Sequence, residues 1–106
     1  MAELKQITDA TFPTEVEGSK GVFVLDFWAP WCGPCRMMEP ILKEVAGEDS
    51  DITVGQLNVD ENPQTAMKFE VMSIPTFIIF KDGKLAKRMT GAMQKAAFVK
   101  EINTVK

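Results

Sequence analysis

Both cysteines of the chain, Cys32 and Cys35, lie three positions apart in the segment DFWAPWCGPCRMMEP, residues 26–40. Two thiols at this spacing can bind a soft metal, take up a haem, staple a small fold or exchange electrons as a dithiol. Structural zinc needs four Cys or His ligands; with two cysteines and no histidine, this chain could supply such a site only by joining a second copy. A c-type haem needs His directly after the second cysteine, where Arg36 stands. Copper(I) carriage stays open, because Met37 and Met38 could add thioethers to the thiolates, although methionines at helical spacing ordinarily fill a core. At 106 residues the chain can bury a core without a staple.

The elements around the pair favour the reactive dithiol. VFVLDFW, residues 22–28, is a nearly unbroken β-branched and aromatic run, the pattern of a central strand buried on both faces. Beyond it, Cys35, Met38, Ile41 or Leu42, and Val45 form one apolar stripe at helical spacing over residues 33–47. A helix that begins at the cysteines puts Cys32 at its N-terminus, where free N–H groups and the macrodipole stabilise a thiolate. Cys32 is therefore expected to be the acidic, exposed, attacking sulfur. Cys35 falls in register with the apolar stripe and is expected to lie deeper, stay protonated longer and resolve what Cys32 starts. Gly33 and Pro34 suit a tight first turn, in which the missing proline N–H has no partner to lose. Pro40, mid-helix, cannot donate to the Arg36 carbonyl and is expected to kink the helix, so that the first turn carries the dithiol while the rest packs on the sheet.

The rest of the chain alternates between strands and helices. LKQIT (4–8) reads as a short edge strand, and Asp9 or Thr11 is expected to cap a first helix with Pro13 in its first turn. ITVGQLNV (52–59) reads as a second buried strand, and Asn62 as the cap of a helix with Pro63 at its first position. TFIIF (76–80) and LAKRMT (85–90) form an antiparallel hairpin turning at Asp82-Gly83. Gly91 ends that run, and a closing amphipathic helix is expected to bury Ala97, Phe98, Ile102 and Val105. The order βαβαβ followed by ββα implies an α/β fold: a mixed central sheet of about five strands with helices on both faces, in one domain over residues 1–106.

Composition narrows the function classes. With 45% apolar and 25% charged residues, the chain reads as a soluble globular protein. A net charge of -3 argues against a nucleic acid partner, which calls for clustered Lys and Arg. The first 25 residues carry charges throughout and show no secretory pattern, and the apolar runs are too short to span a bilayer, so no membrane partner is expected and the cytoplasm is the expected location. Cytoplasmic dithiols stay reduced unless they have redox work to do.

FWAPWCGPC, the later SIPTFIIFKDGK and Gly91 together resemble the thioredoxin family, in order and spacing, over essentially the whole chain. The resemblance implies the thioredoxin fold and reduction of disulfides in client proteins. It also implies a reversible Cys32–Cys35 disulfide with no bound cofactor or metal, a monomeric chain, and regeneration by an NADPH-dependent thioredoxin reductase. The Gly-Pro pair between the cysteines, with no histidine, resembles the reducing members rather than the oxidising ones, since weaker thiolate stabilisation disfavours the reduced form.

The resemblance also bears on the surrounding residues. From pattern alone Asp26 either faces water at a strand end or is buried as a proton acceptor for Cys35; the matching Asp of the family has that acceptor role. Many members carry Lys near that Asp, where Gln56 stands here, and the loss of an ammonium should raise the Asp26 pKa. Pro75 matches the family's cis proline, which would turn the Ile74 backbone outward as a template for an extended client segment. Trp31 is expected to be partly exposed in a contact patch, while Trp28 packs beneath the site. Gly33, Pro34, Ile74, Gly91 and Ala92 complete a small apolar surface by resemblance, suited to transient binding of many clients. A redox-inert interaction module is the remaining alternative, against which the retained thiols, Asp26 and Pro75 speak.

Overall fold

The computed structural model describes residues 3–106. Its five strands are β1 (Lys5–Ile7), β2 (Val22–Trp28), β3 (Ile52–Asn58), β4 (Thr76–Lys81) and β5 (Lys84–Thr90), arranged in the order β1-β3-β2-β4-β5. β1 and β2 run parallel to β3, and β4 runs antiparallel to both β2 and β5, which is the mixed sheet expected from the alternation of segments. The helices are α1 (Gly33–Glu48), α2 (Pro63–Lys68) and α3 (Lys95–Asn103). No helix among the described residues is long and apolar enough to cross a membrane.

The apolar run of β2 makes it the central strand, and successive side chains leave on opposite faces. Val22 and Val24 pack with Met38, Leu42 and Val45 of α1 and with Phe98 and Ile102 of α3. Phe23, Leu25 and Phe27 pack on the other face with Phe12, Val16, Ala66 and Phe80. Asp26 alternates onto the α1 face, among residues that would otherwise form continuous core. α1 continues through Pro40, which lies on its exposed side and so withdraws a backbone donor only where water can serve the carbonyl.

Three local expectations are corrected. The expected first helix forms as a short π-helix over Pro13–Glu17 with Pro13 in its first turn, closed by Gly18 N–H donating to the Pro13 carbonyl, but neither Asp9 nor Thr11 caps it. Asp9 instead reaches across to the start of α2, where its carboxylate accepts from the Thr65 and Gln64 backbone N–H groups (2.8 and 3.1 Å) and from the Thr65 hydroxyl (2.6 Å). Partial burial pushes the Asp9 carboxyl up, but these bonds hold it below its ordinary value. Asn62 occupies the expected cap position, yet its side chain accepts from Asp9 N–H (2.9 Å) and supplies no cap bond. In α3, Phe98 and Ile102 are buried, but Ala97 faces solvent and Val99 packs against the core in its place.

The hairpin turns at Asp82 and Gly83, both at positive φ (50° and 83°), the geometry whose twist matches the strands it joins. Gly83 is further required because a Cβ there would lie 2.1 Å from the Glu17 carbonyl oxygen. The tip of the hairpin thus rests on the Pro13–Glu17 turn.

Candidate active site

The C-terminal end of β2 and the N-terminus of α1 meet at the cysteines. Cys32 is the residue preceding the first turn of α1, in extended conformation (φ -88°, ψ 109°), and Cys35 lies one turn inside. The two are joined in a disulfide, with their Cα atoms 5.3 Å apart. Cys35 N–H donates to Cys32 Sγ at 3.2 Å, so the sulfur takes the place of a capping oxygen. The same N–H group and the helix dipole behind it would stabilise negative charge on that sulfur after reduction.

Cys32 is less exposed than the sequence suggests. Its exposure is 4%, against 2% for Cys35, so the pair is not distinguished by burial in the oxidised form. The cause is the surrounding wall: Ala29 is buried against the cysteines, and Trp28, Val59 and Ile74 pack around them. Cys32 Sγ lies 3.8 Å from the Ile74 carbonyl oxygen. The asymmetry is instead one of position: Cys32 caps the start of α1 beside exposed Trp31, Gly33 and Pro34, whereas Cys35 begins the buried stripe continued by Met38, Leu42 and Val45.

Trp31 is 70% exposed, and its indole N–H donates to Asp60 Oδ2 at 2.8 Å. Asp60 has no signature in sequence; only the fold brings the loop after β3 beside Trp31. Trp28 is half-buried against the disulfide, and its indole nitrogen has no hydrogen-bond partner among the described residues. The Ile74–Pro75 bond is cis, Pro75 is buried, and the Pro75 carbonyl accepts from Gly91 N–H at 2.8 Å, which ties the start of β4 to the end of β5. Ile74 and Gly91 are partly exposed and Ala92 exposed. Two shallow apolar hollows follow: one runs along Trp31, Val59, Met72 and Ile74, the other along Met37, Ile41, Ala92 and Met93.

Beneath this surface, Asp26 is fully buried. Its Oδ2 accepts from Gln56 Nε2 at 3.5 Å, and its Oδ1 has no partner among the described residues. Burial pushes the Asp26 carboxyl up to about 7; the Gln56 amide opposes the rise and the Glu39 charge on α1 adds to it. Glu39 is one helical turn beyond Cys35, so α1 carries a second carboxylate whose charge reaches Asp26. Glu39 is a contributor that the sequence reading missed.

Met37 and Met38, which the copper(I) alternative would recruit, diverge. Met37 is 71% exposed, while Met38 is buried with its sulfur accepting from Met93 N–H at 3.4 Å. Among the described residues no group of three or more His, Cys, Asp or Glu is placed to hold a metal ion.

The thioredoxin family model matches residues 3–104. A thioredoxin of Mycobacterium tuberculosis is 52% identical over 101 residues, covering 94% of this chain and 87% of its own. A thioredoxin of Alicyclobacillus acidocaldarius is 53% identical over 90 residues, 84% of this chain and 85% of its own. A bifunctional thioredoxin reductase/thioredoxin of Mycobacterium leprae is 46% identical over 101 residues, 94% of this chain but 22% of that larger protein. The chain belongs to the thioredoxin family. It has the thioredoxin fold and is a thiol-disulfide oxidoreductase that reduces protein disulfides.

Proposed function

We propose that Cys32 is the attacking thiolate of this reductase, Cys35 the resolving thiol and Asp26 its proton acceptor. The observation that carries the reading is the placement of Cys32 Sγ at the start of α1, where it accepts the Cys35 N–H. Reduced Cys32 attacks one sulfur of a client disulfide, forming a mixed disulfide and releasing the first client thiolate. Cys35 gives its proton to the Asp26 carboxylate, directly or through water, and attacks Cys32 Sγ. The mixed disulfide breaks, the second client thiolate leaves, and the protein retains the Cys32–Cys35 disulfide. Two electrons have passed to the client.

The client's extended chain lies across Ile74, with Trp31, Gly33, Pro34, Pro75, Gly91 and Ala92 forming the flat apolar contact around the disulfide. Trp28 supports the site from below, Pro40 shapes the helix that carries it, and Gln56 tunes Asp26. A thioredoxin reductase drawing on NADPH restores the dithiol; support comes from the relative in which reductase and thioredoxin are one protein. The chain works as a single domain and a monomer in the cytoplasm, on disulfide-containing client proteins.

Substitution of each cysteine tests the assignment. Cys32→Ser should abolish reduction of a model protein disulfide, and Cys35→Ser should accumulate a covalent adduct with the client through Cys32. Turnover by Cys32→Ser would overturn the reading.

A further inference from the structure

One polar side chain on the α1 face of the sheet takes no direct part in the exchange reaction described above. Gln6, exposed on β1, is in register with Gln56, and Gln56 is in register with Asp26, so the three stand in one row across β1, β3 and β2. The row is hydrogen-bonded along its length: Gln6 Nε2 donates to Gln56 Oε1 at 3.1 Å, and Gln56 Nε2 donates to Asp26 Oδ2 at 3.5 Å.

A primary amide can meet a carboxyl group in two ways. With its NH2 inward it favours the carboxylate; with its oxygen inward it favours the neutral acid, which alone has a proton to donate. Gln6 breaks this symmetry because its Nε2 also donates to the Leu4 carbonyl of its own strand, at 3.4 Å. Held there, Gln6 offers Gln56 a donor. Gln56 must then turn its oxygen outward and its NH2 toward Asp26.

Among the described residues around Asp26, this row is what works for ionisation. β3 carries no titratable residue, and Phe77 is the β4 neighbour of Asp26. Lys5 of β1 alternates to the opposite face and is paired with Glu15, and Lys81 of β4 is opposite Val22 at the far end of the strand. On α1, Glu39 opposes ionisation and Cys35 is the thiol to be deprotonated. Glu44 and Glu48 of α1 are paired with Lys95 of α3, and Glu101 of α3 with Lys87.

We propose that Gln6 is a positioning residue for the exchange reaction: by fixing the Gln56 amide with its NH2 toward Asp26, it biases that carboxyl toward the ionised form that accepts the Cys35 proton. The inference rests on the reading of Asp26 as that acceptor.

The experiment follows the Asp26 carboxyl carbon by NMR titration of the reduced protein carrying Gln6→Met or Gln6→Glu, both at an exposed position where folding is not at stake. Gln6→Met removes the outer donor and should raise the Asp26 midpoint by about half a unit. Gln6→Glu presents an acceptor, draws the Gln56 NH2 outward and should raise it further. In a Gln56→Met background the Gln6→Met shift should vanish. An unmoved midpoint in Gln6→Met, or a shift undiminished in the Gln56→Met background, overturns the proposal; should Gln56→Met not fold, the two Gln6 variants decide it alone. The pH profile for release of an aromatic thiol from its mixed disulfide with Cys32 should move with the carboxyl midpoint. A carboxyl midpoint that moves while this profile stays fixed would refute the role of Asp26 and uphold that of Gln6 on the carboxyl.

Discussion

Replacing Asp26 with Asn converts the buried carboxyl into a neutral group of nearly the same shape, and the structure sets the size and direction of the effect. In the folded protein burial pushes the Asp26 carboxyl up to about 7 from an ordinary 3.8. The folded state therefore binds this proton more tightly than the unfolded chain. Below pH 3.8 both states hold the proton and the carboxyl costs nothing. As pH rises from there to about 7, the unfolded chain releases its proton first, and the wild type loses stability relative to the variant. A difference of about 3 pKa units at about 1.4 kcal/mol each amounts to about 4 kcal/mol by pH 8. Urea unfolding of oxidised wild type and Asp26→Asn at intervals from pH 3.5 to 8 reads this directly. The stability of the variant relative to wild type should grow by about 4 kcal/mol across the range and level off above pH 7.5. Any constant cost of burying the Asn amide shifts the whole curve without altering its rise. A difference that stays flat with pH would show that Asp26 is not the strained group described, and the case for its accepting a proton near neutrality would fall with it.

Two further outcomes follow from the same geometry. Gln56→Lys places an ammonium beside Asp26 and should lower its carboxyl titration midpoint by about 1 unit or more, followed by NMR; an unchanged or higher midpoint would sink the account of how the two residues interact. Asp9→Ala removes the acceptor for the first N–H groups of α2 and should destabilise the protein by about 1–2 kcal/mol in urea unfolding, whereas Thr11→Ala, at the other expected cap, should cost less.

The parts of the fold that were legible in sequence are those specified by near neighbours. The β2 run, the α1 stripe and the Asp82-Gly83 turn each carry their signal within a few residues, because strand burial, helical periodicity and turn geometry are local properties. The parts that were not legible depend on partners distant in the chain. Asp9 caps a helix more than fifty residues away rather than its own segment, since free N–H groups at α2 outcompete the short turn that follows it. The burial of Cys32 comes from Ile74 and Val59, which only the folded sheet delivers. Asp26 was ambiguous because a carboxylate in an apolar run reads equally as a strand end; the sheet resolves it by placing Gln56 on one side and Phe77 on the other. Gln6 was unreadable for the same reason, since its meaning lies in a register across three strands.

The margins of the sheet bear on where another chain could pair with it. A reductase that took extended client segments, as proposed, would risk capturing unfolded chains, or copies of itself, along any unpaired strand. On one margin β1 is three residues long, too short to template much, and its Lys5 is held by Glu15. On the other, β5 carries Lys84, Lys87 and Arg88, with Lys87 paired to Glu101 and Arg88 donating to the Phe69 and Glu70 carbonyls. Brevity protects one side and cationic side chains the other. If clients pair at Ile74 as proposed, they would then be held beside the disulfide, where their own disulfide can be reduced, and not along either margin.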